Sequence, residues 1–131
     1  MRVGIIARTD RKDALEIAKK AIEFLSDTAE VLVEKTLASK LRKKFSNLIN
    51  ADIVIAIGGD GTVLRALRSY NVPLLGVKAG AVGFLAEVQS VENLKDALAK
   101  ILAGKYKIES RIKLKTILSK ERLPDATNEV V

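Results

Sequence analysis

The chain has 131 residues, 48% of them apolar and 30% charged, with a net charge of +7 and neither cysteine nor histidine. That length and balance suit one ordered globular domain. They exclude a disulfide framework, a zinc site of the usual ligands and Ser-His-Asp or Cys-His catalysis, so proton transfer falls to Asp, Glu, Lys, Tyr or water.

Residues 3–7 form a continuous apolar run, the signature of a strand covered on both faces. Thr9 and Asp10 read as helix caps. After them Ala14, Ile17, Ala18, Ala21, Ile22 and Leu25 fall on one helical stripe. Residues 30–33 read as a second short strand, and 37–49 as weakly helical. Within that stretch Lys40, Arg42, Lys43 and Lys44 are read as a solvated helix face, with Leu41 and Phe45 flanking as in an amphipathic turn, and an anion or partner contact as the alternative. Residues 53–57, β-branched and uncharged, make a third buried strand. It runs directly into Gly58-Gly59-Asp60-Gly61-Thr62, and 63–69 follow as a helix. Residues 73–77 are a fourth strand, with a glycine-rich stretch over 78–84. Leu94, Ala97, Leu98, Ile101 and Leu102 mark another amphipathic helix.

This alternation predicts an α/β fold: a Rossmann-like, mostly parallel sheet with flanking helices over residues 1–104. The pattern then changes. From Tyr106 the text alternates apolar and basic residues, as in an antiparallel strand exposed on one side. Residues 105–131 are expected to open a second, β-rich domain. Because the last residues begin a further apolar run, the chain reads as cut short.

No apolar run approaches the roughly 20 residues that span a bilayer, and no charged-then-apolar leader opens the chain. The expected compartment is the cytoplasm, without a membrane partner. The basic excess is split between the two ends, and aromatics are 4%, so no nucleic-acid partner is expected.

Chemistry concentrates at Gly58-Gly59-Asp60-Gly61-Thr62, where a buried strand hands over to a helix. Open α/β sheets bind ligands at the carboxyl ends of their strands. Glycines there let phosphate oxygens approach backbone N–H groups, and the helix N-terminus adds partial positive charge. Asp60 does not fit simple phosphate binding, because a carboxylate repels phosphate. It must have a task, such as accepting a hydroxyl hydrogen bond or holding Mg²⁺. The P-loop and dinucleotide fingerprints are both absent.

The five residues resemble a motif shared by NAD kinases, diacylglycerol and sphingosine kinases and, with Ser for Thr, phosphofructokinases. Two further stretches resemble NAD kinases alone: Gly76-Val77-Lys78-Ala79-Gly80-Ala81-Val82-Gly83-Phe84-Leu85, and Asp125-Ala126-Thr127-Asn128-Glu129-Val130. The whole chain looks like the N-terminal half of an archaeal or bacterial NAD kinase, which transfers the γ-phosphate of ATP to the 2′-hydroxyl of NAD.

The resemblance implies roles. Asp60 matches the catalytic acidic residue that orients or deprotonates the adenosine ribose hydroxyl. Asp60, Gly61, Leu64, Arg65, Phe84, Asn128 and Glu129 contact NAD. Gly58, Gly59 and Thr62 form the phosphate-approach loop for ATP. Mg²⁺ or another divalent cation arrives with ATP, and no protein ligand set for it is assigned. The full-length form is expected to be a homo-oligomer, and the 131 residues alone are expected not to turn over. Lys78 and Thr127 depart from the family pattern, which usually has Asn and often has Leu there, and no role is carried onto Lys78. A lipid or sugar kinase sharing the glycine motif, or a non-catalytic nucleotide-binding module, remains the alternative.

Overall fold

The computed structural model describes residues 1–80, 88, 92–113, 115, 117–118 and 121–122. Four strands carry the fold: β1 (Arg2–Ala7), β2 (Glu30–Val33), β3 (Ile53–Gly58) and β4 (Leu74–Lys78). All pair in parallel, in the spatial order β2-β1-β3-β4. β1 and β3 are central, and their inner residues are buried on both faces. Val88 adds one parallel bridge to Val77 on the outer side of β4.

Helices α1 (Lys12–Leu25) and α4 (Leu94–Leu102) cover one face. The predicted stripe of α1 is buried as a set, all six residues of it, against Val3, Ile5 and Ala7 of β1 and Ile53, Ile55 and Ile57 of β3. Leu94, Leu98 and Ile101 of α4 join the same core. Helix α3 (Asp60–Ser69) covers the other face, where Val63 and Ala66 meet Ile6, Val54 and Ala56. Strand residues therefore divide by parity between two apolar layers, as a period of two requires.

Three sequence expectations are corrected here. The cap of α1 is Arg11, without a side-chain cap hydrogen bond, and not Thr9 or Asp10. The weak helix over 37–49 is two pieces. Helix α2 (Lys35–Leu41) stops where Arg42 turns left-handed at φ 53°, and a 3₁₀ turn follows at Leu48–Asn50. Arg42, Lys43 and Lys44 lie past the end of α2, and Phe45 is 59% exposed instead of packing on an apolar helix side. The alternating stretch from Tyr106 is not a strand over 106–113: Ile108 is 61% exposed and Ile112 94%. Alternation gives a strand its faces, but a strand also needs a neighbour's ladder, and none lies beside these residues among those described. The ammonium of Lys113 instead donates to the Leu67 carbonyl at the end of α3. Further on, β5 (Ile117–Leu118) and β6 (Glu121–Arg122) pair antiparallel. No helix among the described residues is long and apolar enough to cross a membrane.

Candidate functional site

The sequence runs β1 to α1 to β2 on one side of β1, then crosses over to β3 on the other. The connections leaving β1 and β3 thus diverge at their carboxyl ends. This is the point at which open α/β sheets form a ligand crevice. A cleft of about 310 Å³ lies there, lined by Arg8, Thr9 and Asp10 after β1 and by Gly59, Gly61, Thr62 and Arg65 after β3. Its size sits at the lower end of the range for ligand pockets, about 300–1,000 Å³.

The β3–α3 wall is built by close packing. Gly58 ends β3 opposite Lys78 of β4 and is fully enclosed. A β-carbon on Gly58 would lie 2.4 Å from the Thr62 hydroxyl oxygen and 2.9 Å from its β-carbon. The first turn of α3 can therefore sit against the strand end only because residue 58 has no side chain. Gly59 caps α3 with extended backbone, and its carbonyl accepts from the Thr62 and Val63 N–H groups at 3.1 and 3.3 Å. Gly59 and Gly61 differ from Gly58: a β-carbon on either meets no atom within 4 Å. The packing of the fold does not ask for glycine at these two positions. Both face open space in the cleft.

Asp60 is the first residue of α3, at the carboxyl edge of the sheet as the motif implies. It is half-buried, as are Leu64 and Arg65, whereas Thr62 is buried and Gly61 exposed. Arg65 reaches the cleft, and its Nη1 lies 3.8 Å from Oε1 of Glu34, the residue after β2. Asp60 and Leu64 share this turn of helix but do not line the cleft wall. The structure thus brings Gly58, Gly59, Asp60, Gly61, Thr62, Leu64 and Arg65 into one strand–helix junction. Phe84, Asn128 and Glu129 lie outside the described residues.

The opposite wall was not foreseen. Arg8 leaves the end of β1 with its N–H donating to the Ile57 carbonyl at 2.9 Å, which ties the loop to β3. Its guanidinium donates to both oxygens of Asp10, at 2.7 and 3.0 Å. This hydrogen-bonded pairing holds the Asp10 carboxyl below its ordinary value and raises the Arg8 guanidinium. The available signal was positional: Arg8 and Asp10 follow the strand adjacent to the motif strand. With Arg65 they place two guanidinium groups around the glycine turn.

Residues 3–106 match the family model described as the ATP-NAD kinase N-terminal domain. The NAD kinase of Thermoplasma volcanium is 39% identical over 133 residues, an alignment that takes in 100% of this chain and 48% of that protein. The crystal structure of yeast NADH kinase complexed with NADH shares the fold, with a TM-score of 0.80 at 17% identity, covering 95% of this chain and 46% of that one. The crystal structure of an NAD kinase from Archaeoglobus fulgidus in complex with ATP gives a TM-score of 0.58 at 26% identity, covering 88% and 41%. The chain spans about half the length of the curated relatives it matches.

Proposed function

The chain belongs to the ATP-NAD kinase N-terminal domain family, and from that premise we propose that it forms one side of the active site of a kinase that moves the γ-phosphate of ATP to the 2′-hydroxyl of NAD. The observation that carries this reading is the glycine turn at the β1/β3 crevice. Its Gly59 and Gly61 keep open a space that the fold itself does not need. Residues 1–104 are the α/β unit in this reading, and 105–131 open the β-rich one.

Phosphoryl transfer passes through a loose transition state, so the protein acts mainly by positioning and by charge. Asp60, beside the cleft at the start of α3, accepts a hydrogen bond from the ribose hydroxyl and takes its proton. Gly61, Leu64 and Arg65 of the same turn contact NAD in this reading, and the resemblance assigns Phe84, Asn128 and Glu129 to the same ligand. Gly58, Gly59 and Thr62 shape the turn that the ATP phosphates approach. A Mg²⁺ ion, when bound, neutralises phosphate charge. Among the described residues no group of three metal-ligating side chains gathers into a cage. An ion held chiefly by phosphates and waters needs no such cage, and no protein ligand is assigned to it. Since the chain spans half of its relatives' length, it is expected to bind nucleotide weakly and not to turn over alone.

Thermal unfolding with added ligand tests the reading. NAD and Mg-ATP should each raise the melting temperature, with about 2.7 kcal/mol of stabilisation at 100 times Kd. Fructose 6-phosphate and diacylglycerol should leave it unchanged. A shift with either of these, and none with NAD, would replace this reading by a sugar- or lipid-kinase one.

A further inference from the structure

We propose that Arg8 is a direct contact for the donor's phosphate chain, an assignment that rests on the kinase reading above for the identity of the donor. Three observations carry it. Arg8 lines the cleft across from Gly59, Gly61 and Thr62, so a phosphate entering the glycine turn passes its side chain. The stem of Arg8 is fixed: its N–H is bonded to β3, and its β-carbon lies 3.2 Å from where a β-carbon on Gly58 would stand. Among the described residues, the guanidinium is held by one edge only. Asp10 takes its Nε and Nη2 donors. A guanidinium has five N–H donors in a rigid fork, so the Nη1/Nη2 edge remains to receive a second pair of anionic oxygens.

Arg11 supplies the internal contrast. It makes the same two-pronged bond, to Asp13 at 3.0 and 2.9 Å, three residues further on. Its guanidinium, however, lies against Gly80, and Arg11 is not part of the cleft wall. Two arginines of equal charge and similar pairing thus differ in whether they face the glycine turn. A general loss of positive charge can be told apart from the loss of a contact.

The test is calorimetric titration of the 131-residue chain with tripolyphosphate, Mg-ATP and NAD, for wild type, Arg8→Gln, Arg8→Lys and Arg11→Gln. Arg8→Gln should weaken tripolyphosphate and ATP by about tenfold or more, the effect of a charge-assisted pair, and change NAD less than about twofold. Arg8→Lys keeps the charge without the two-edged fork and should lose about threefold. Arg11→Gln should stay within about twofold throughout. Should Arg8→Gln fail to fold, as seen by circular dichroism, Arg8→Lys decides alone. Unchanged tripolyphosphate affinity in the Arg8 variants, equal losses in the Arg8 and Arg11 variants, or no tripolyphosphate binding by wild type would each overturn the assignment. Binding of tripolyphosphate that depends on Arg8, with no binding of NAD, would refute the NAD kinase reading and leave Arg8 standing. NAD binding with neutral Arg8 variants would do the reverse.

Discussion

Gly58 and Gly61 stand three residues apart and answer to different demands. Gly58 is demanded by packing, since the Thr62 side chain occupies the space a β-carbon would take. Gly58→Ala should therefore destabilise the fold by about 1–3 kcal/mol, the usual cost of overpacking. Gly61 lies within α3, where glycine is a poor helix former, and nothing crowds it. Gly61→Ala should stabilise the chain by about 0.4–1 kcal/mol. If the space beside Gly61 is kept for NAD, the same substitution should weaken NAD binding by about tenfold, roughly 1.4 kcal/mol. Urea denaturation paired with calorimetric titration reads both effects. A stabilised Gly61→Ala variant with unchanged NAD affinity would remove the ligand argument for that glycine.

At the scale of elements, α3 is joined to β2 through its far side. Arg65 reaches Glu34, and Tyr70, which ends the helix, lies half-buried near both. Burial raises the Tyr70 hydroxyl above its ordinary value of 10.0, the Glu34 carboxylate raises it further, and Arg65 pulls the other way. The folded state thus holds this proton more tightly than the unfolded chain does. Stability from this source is complete below pH about 10 and is lost as pH rises through the folded value. Urea titrations between pH 8 and 11.5 should show an alkaline loss that Tyr70→Phe diminishes; an identical alkaline loss in that variant would assign it elsewhere. The elements themselves were legible where one signal dominated. The run over 53–57 is unbroken and β-branched and the α1 stripe is strongly periodic, and both formed within a residue or so of expectation. The β1–α1 loop was not legible. Thr9 and Asp10 have good cap chemistry, but Asp10 has a stronger partner in Arg8, and local propensity does not disclose a competing side chain. The basic run after Leu41 misled for a related reason, because a left-handed Arg42 ends the helix and no glycine marks the stop.

The body of the described molecule is one parallel sheet whose two apolar faces are closed by α1 and α4 on one side and α3 on the other. Closing both faces leaves the carboxyl edge as the place where backbone donors and charged side chains of several elements can meet. The order β2-β1-β3-β4 opens that edge between β1 and β3. The motif strand alone located half of the cleft from sequence. The other half required knowing that β1 is its neighbour, which parallel alternation suggests but does not specify. On the kinase reading this crevice receives the nucleotide phosphates. Backbone amide shifts of the ¹⁵N-labelled chain, recorded while Mg-ATP and then NAD are added, test it most directly. Saturable shifts concentrated in residues 8–10 and 58–65 are expected. Shifts confined to the exposed basic run at Arg42, Lys43 and Lys44, or none at the glycine turn at saturating nucleotide, would contradict it.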